Sequence, residues 1–183
     1  MQSINGPRTW TLLIYTVPSQ PTRKRALVWR ELKRLGAVYL RDGVAALPEQ
    51  QKTLDAFHAL AARIEAMSGR AAVITNAVIT VDTGDSLIAE ALAARASEYE
   101  EIVREATAFL DHLQRESPHR ELGSAELDAL DADIGKLRQW IAQVQARDYF
   151  GTAQANKPRD LVEQCARALQ SLVHRKVSVE VGQ

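Results

Sequence analysis

Between Trp10 and Val17 the chain reads Trp-Thr-Leu-Leu-Ile-Tyr-Thr-Val, a short apolar run rich in strand formers. Pro18 and Pro21 bracket its end, as expected for a strand leaving a sheet. From Thr22 the period becomes helical. Val28, Trp29, Leu32 and Leu35 fall on one face, Thr22 stands at the expected N-cap, and Gly36 stands where a left-handed residue ends a helix. Ala37–Leu40 and Val44–Pro48, separated by Arg41-Asp42-Gly43, read as a hairpin. Residues 50–68 return to helical spacing through Leu54, Phe57, Ala61, Ile64 and Met67, with Gly69 at the end, and residues 72–79 form a last apolar run. The order β-α-β-β-α-β predicts an α+β, ferredoxin-like head over residues 8–81, its antiparallel sheet carrying both helices on one face.

The rest of the chain reads as helix, with a predicted tail over residues 84–178. Ile88, Leu92, Arg95, Tyr99, Ile102, Ala106, Phe109 and Leu113 recur at spacings of four and three, and Leu130, Ile134, Leu137, Ile141 and Val144 repeat the rhythm. The polar break Glu116–Ser124 between them contains a proline and a glycine, so a long antiparallel hairpin is expected over residues 86–149. Each helix would be roughly 30–40 Å long, more than a small head can cover, so part of the seam is expected to meet a second copy of the chain. A further C-terminal helix is expected over residues 158–175, with Pro158 at its first position and Leu161, Cys165, Leu169 and Leu172 on its apolar face.

Charge changes this picture. The net charge is zero, yet residues 1–41 carry Arg8, Arg23, Lys24, Arg25, Arg30, Lys33, Arg34 and Arg41 against Glu31 alone, a local balance of +7 that the remaining residues offset. Helical spacing gathers Arg23, Arg30 and Arg34 on the solvent side, with Lys24, Lys33 and the hairpin residue Arg41 adding charge. Guanidinium groups suit phosphate or tetrahedral oxyanions, and the same set suits a DNA backbone. The bland alternative is a solvated helix face, or one that pairs with Glu98, Glu100, Glu101 and Glu105 of the tail.

Other chemistries find little support. His58, His112, His119 and His174 are scattered without metal-ligand spacing, so no metal and no cofactor are expected. The single cysteine, Cys165, lies at an apolar helical position and reads as a buried thiol that fits a reducing cytosol. No helix-turn-helix, aromatic stacking platform, phosphate loop or nucleophile motif is present, so no enzyme is expected. With no membrane-spanning run and no visible signal peptide, a cytoplasmic protein is expected.

Several separated strings resemble the N-terminal domain of the ChrB family of chromate-resistance proteins. These are Leu13–Ser19, Arg25–Val44 with Leu47-Pro48, Lys136–Trp140 and Arg147-Asp-Tyr-Phe-Gly151. Some members are described as chromate-responsive transcriptional regulators, and full-length members carry a further C-terminal domain. More distantly, the head resembles those of PaaX-type repressors and of small CRISPR-associated nucleases. The nucleases need an acidic residue at the end of the first strand, where this chain has Tyr15-Thr16-Val17-Pro18. The resemblance implies a regulatory or sensor protein that binds DNA, an oxyanion such as chromate, or both. Its site would comprise Arg23, Lys24, Arg30, Lys33, Arg34 and Arg41, with Arg147 joining the head's cations. A homodimer is expected. The alternative is a non-catalytic module whose helical hairpin docks a partner, and an enzyme of chromate reduction stands behind both.

Overall fold

The computed structural model describes residues 9–116 and 123–181. The element order is β1 (Trp10–Thr16), α1 (Thr22–Leu35), β2 (Val38–Arg41), β3 (Val44–Pro48), α2 (Gln51–Ala66), β4 (Arg70–Ala77), α3 (Val81–Glu116), α4 (Ser124–Gln145) and α5 (Asn156–Val181). The strands form one antiparallel sheet in the order β2-β3-β1-β4, the ferredoxin-like arrangement expected from the element order.

Period-two alternation sends the two sets of β1 side chains to opposite faces of the sheet. Leu13 joins Val28, Leu32, Ala45, Leu47, Phe57, Leu60 and Ile64 in the core beneath α1 and α2. Trp10, Val38 and Ala46 pack on the other face against Leu87 and Ile88 of α3 and against Phe150, whose ring centroid lies 5.9 Å from that of Trp10. Fully burying side chains of this size stabilises the head by about 1.5–3 kcal/mol each.

The ends of the elements differ from the sequence reading at several points. Thr22 is the first helical residue and Pro21 holds the N-cap position, so no side chain caps α1. Gly36 is left-handed, with φ 75°, as expected of a helix stop. Trp29, expected on the buried face, is 53% exposed, while Leu27, Val28, Leu32 and Leu35 carry the packing of α1 against the head core. β4 runs from Arg70 rather than Ala72, extending its ladder to the pair Thr16–Arg70. α3 begins at Val81, α4 stops at Gln145, and α5 starts at Asn156 rather than Pro158. Residues 117–122 of the expected loop, including His119, lie outside the described residues.

The chain packs as two compact units. The first extends to Ala93 and takes in Arg147–Gly151; the second comprises Ala94–Ala146 and the chain from Thr152 onward. In the second unit, α3, α4 and α5 share one core of Tyr99, Ile102, Ala106, Leu113, Leu130, Ile134, Leu137, Ile141, Val144, Val162, Cys165 and Leu169. α5 thus supplies part of the cover for the α3–α4 seam, through Val162, Cys165 and Leu169. The Cys165 thiol donates to the Ala106 carbonyl at 3.3 Å and is fully buried, and burial raises its pKa, which leaves it an inert structural group.

Candidate anion and nucleic-acid interface

The site begins with the geometry of α1. At 100° per residue, the buried Val28 and Leu32 fix which side faces the core, and Arg23, Arg30 and Arg34 fall within an arc of about 40° on the opposite side. All three are exposed, and Lys33 joins them one step round the helix. Lys33 holds its ammonium 5.2 Å from the centroid of the exposed Trp29 ring. The outward face thus presents a row of cations bordered by an indole.

Glu31 is the acid of this helix. It accepts from Arg34 at 2.9 Å and from Arg63 of α2 at 3.4 Å. One carboxylate shared by two guanidiniums leaves net positive charge, and exposed pairs of this kind contribute about 0–1 kcal/mol. Glu31 orients Arg34 without neutralising the row. The acidic tail residues considered as partners belong to the second compact unit. Glu98 pairs with Arg95 at 3.1 Å, while Glu100, Glu101 and Glu105 are exposed on α3.

Lys24 is used differently. Its ammonium donates to the Met67 carbonyl at 2.7 Å, placing a cation at the C-terminal end of α2, where orphan carbonyls favour one. Arg41 is exposed at the end of β2. Its turn is tied to β1 by the bond from the Tyr15 N–H to the Gly43 carbonyl at 2.8 Å. Arg147 is half-buried and engaged. It lies two residues before Tyr149, whose hydroxyl donates to the Leu35 carbonyl at 2.9 Å, at the C-terminal end of α1. The structure thus brings Arg23, Arg30, Lys33 and Arg34 together, and it places Lys24, Arg41 and Arg147 elsewhere on the head.

Two further cations lie outside the expected site set. Arg25, in the first turn of α1, and Asp42, in the hairpin turn, both act on the Tyr15 phenol, so these elements meet at one end of the sheet. Arg70 stands opposite Thr16 at that same end. In this sheet the last residue of β1, the β2–β3 turn and the first residue of β4 coincide. The strand register thus sets Arg41 and Arg70 at this end, and the packing of α1 brings Arg25 to it.

Burial pushes the Tyr39 phenol up to about 12, with the neighbouring Tyr15 adding to the shift, and burial and Asp42 raise Tyr15 against the opposing effect of Arg25. The Tyr39 hydroxyl is buried with no hydrogen-bond partner among the described residues. The folded state therefore favours the protonated phenol. Its contribution to stability is complete below about pH 10 and is lost as the pH rises towards 12. An alkaline titration of phenolate absorbance should show Tyr39 ionising well above the ordinary tyrosine range, with resistance to urea falling over the same interval. Ordinary titration of Tyr39 near pH 10 would contradict the burial argument.

No group of three or more histidine, cysteine, aspartate or glutamate side chains among the described residues could hold a metal ion. No described helix is long and apolar enough to cross a membrane.

These features define an α+β protein with a four-stranded antiparallel sheet, followed by three C-terminal helices that pack together. The chain matches the family model described as Protein ChrB, N-terminal, over residues 25–181, and it belongs to that family. Membership implies a role in chromate resistance. No curated protein matches the chain.

Proposed function

We propose that this chain is a non-catalytic binding module of the ChrB family whose head holds the DNA backbone through the outward face of α1. The observation that carries the reading is the row Arg23, Arg30 and Arg34, exposed along one side of the helix with Lys33 and the uncovered Trp29 beside it. A convex row of cations suits a line of phosphates better than one small oxyanion, which needs converging donors to replace its water. Chromate then fits best as a modulator of that binding, which agrees with the family's role in chromate resistance. Arg23, Arg30, Lys33 and Arg34 are the phosphate contacts in this reading. Arg25, Arg41 and Arg70 add positive potential at the sheet end.

The test is fluorescence anisotropy of labelled duplex from upstream of the chain's own gene, at two salt concentrations and with or without chromate, alongside unrelated DNA. With about four phosphate contacts, the slope of log K against log salt should be roughly −3 to −4. Binding that is selective for the upstream duplex and weakened by chromate supports a chromate-responsive regulator. Absence of binding at micromolar protein and low salt would refute DNA recognition by this chain alone.

A further inference from the structure

We propose that β4 is the seam of a symmetric homodimer, in which it pairs antiparallel with β4 of a second copy and centres on Val73. β4 is an edge strand of eight residues, bonded on one side only, to β1. The direction of its free groups follows from the ladder. The Tyr15 N–H donates to Gly43 on the β3 side, so Tyr15 and Leu13 point towards β3, while Leu12, Ile14 and Thr16 point towards β4. Their partners Ile74, Ala72 and Arg70 are therefore turned inward. Ala71, Val73 and Thr75 direct their N–H and C=O groups away from the sheet, and no hydrogen bond to these groups is present among the described residues.

Such an edge is ordinarily blunted by a proline, a central charge, a bulge or very short length. The other edge strand, β2, has four residues and ends in Arg41. β4 has its single charge at its first position and no proline, and its bulge is confined to its far end, where Asn76 has φ 55°.

A second copy fits this edge for three reasons. Antiparallel pairing of a strand with itself satisfies a two-fold axis, so the contact closes rather than propagates. Centred on Val73, it sets Ala71 against the partner's Thr75 and pairs every outward-facing residue. It also sets Ala72 beside the partner's Ile74. That lengthens an apolar strip already left open on this sheet face, where Ile14 is 40% and Ile74 41% exposed. Finally, Arg70 flanks the paired segment Ala71–Thr75 and comes beside the bulge at the partner's Asn76, whose φ of 55° takes it out of the regular ladder. The N–H of Asn76 is held by the Glu49 carboxylate, so the guanidinium reaches the partner's Glu49 and two symmetry-related ion pairs form.

The experiment is sedimentation velocity on the full chain without DNA, so the outcome is independent of the nucleic-acid reading. The wild-type chain should sediment as a dimer. Thr75→Pro removes an outward N–H while sparing the ladder to β1, and it should weaken association at least about tenfold with the melting curve unchanged. Arg70→Glu should weaken it as well, and adding Glu49→Arg should restore it. A wild-type chain that stays monomeric at the highest attainable concentration overturns the proposal, as does a dimer that survives Thr75→Pro. If Thr75→Pro disturbs the melt, the charge swap decides: failure of the double variant to recover the dimer overturns the proposal.

Discussion

Replacing Arg23, Arg30 and Arg34 together with glutamate is expected to abolish DNA binding, with a loss of roughly 10²–10³-fold at low salt and no loss of fold. Each reversal removes one phosphate contact and adds a repulsive one. The side chains stand on the exposed face, so the core under Val28 and Leu32 is untouched. Single alanine variants should each lower the salt slope by about 1. The one structural cost is the Arg34–Glu31 pair, worth about 0–1 kcal/mol, and Arg63 remains to hold Glu31. Lys24→Ala is the informative contrast. Its ammonium serves the end of α2, so it should lower thermal stability with little effect on binding. Anisotropy and melting curves on the same preparations separate the two effects, and retained affinity in the triple variant would sink the α1 interface.

Gly43→Ala is expected to destabilise the head by about 3 kcal/mol. Gly43 has φ +75°, and a Cβ there would lie 2.6 Å from the Tyr15 carbonyl oxygen. That oxygen belongs to the strand whose own N–H binds Gly43, so the turn cannot move away without breaking the bond that anchors it. A drop of this size should lower the melting temperature of a unit near 100 residues by on the order of 10–20 °C. Gly135 provides the control. It sits inside α4 with nothing within 4 Å of its would-be Cβ, so Gly135→Ala should stabilise by about 1 kcal/mol. Equal melting of the Gly43 variant and the wild type would show that the hairpin contributes nothing to the head.

Much of the head was legible because its signals are local. The Asp42-Gly43 turn, the left-handed Gly36 and the apolar face of α2 each depend on residues a few positions apart, and each appears where the pattern placed it. Trp29 was misread because helical spacing marks a broad apolar stripe, while the width of the sheet decides which members of it are buried. The apolar stripe of α3 is legible in its spacing, while what covers each part of it within the chain is not. Its first turns pack on Trp10, Val38 and Ala46 in the head core, and its later turns pack against α4 and α5.

The candidate site divides in the same way. The row Arg23, Arg30 and Arg34 follows from helical spacing alone once the buried face is known. Lys24 looks identical in the sequence, yet its partner is a carbonyl 43 residues away. The sequence by itself determined the order of elements, the antiparallel sheet and the existence of a basic helix, because these follow from periodicity and turn chemistry within a short window. Only the tertiary structure decided which cations remain available, that Arg25, Arg41 and Arg70 share one end of the sheet, and that β4 is left as an open edge. Those facts depend on strand register and on the C-terminal end of α2, which bring distant residues to the same place, and no local pattern records such meetings.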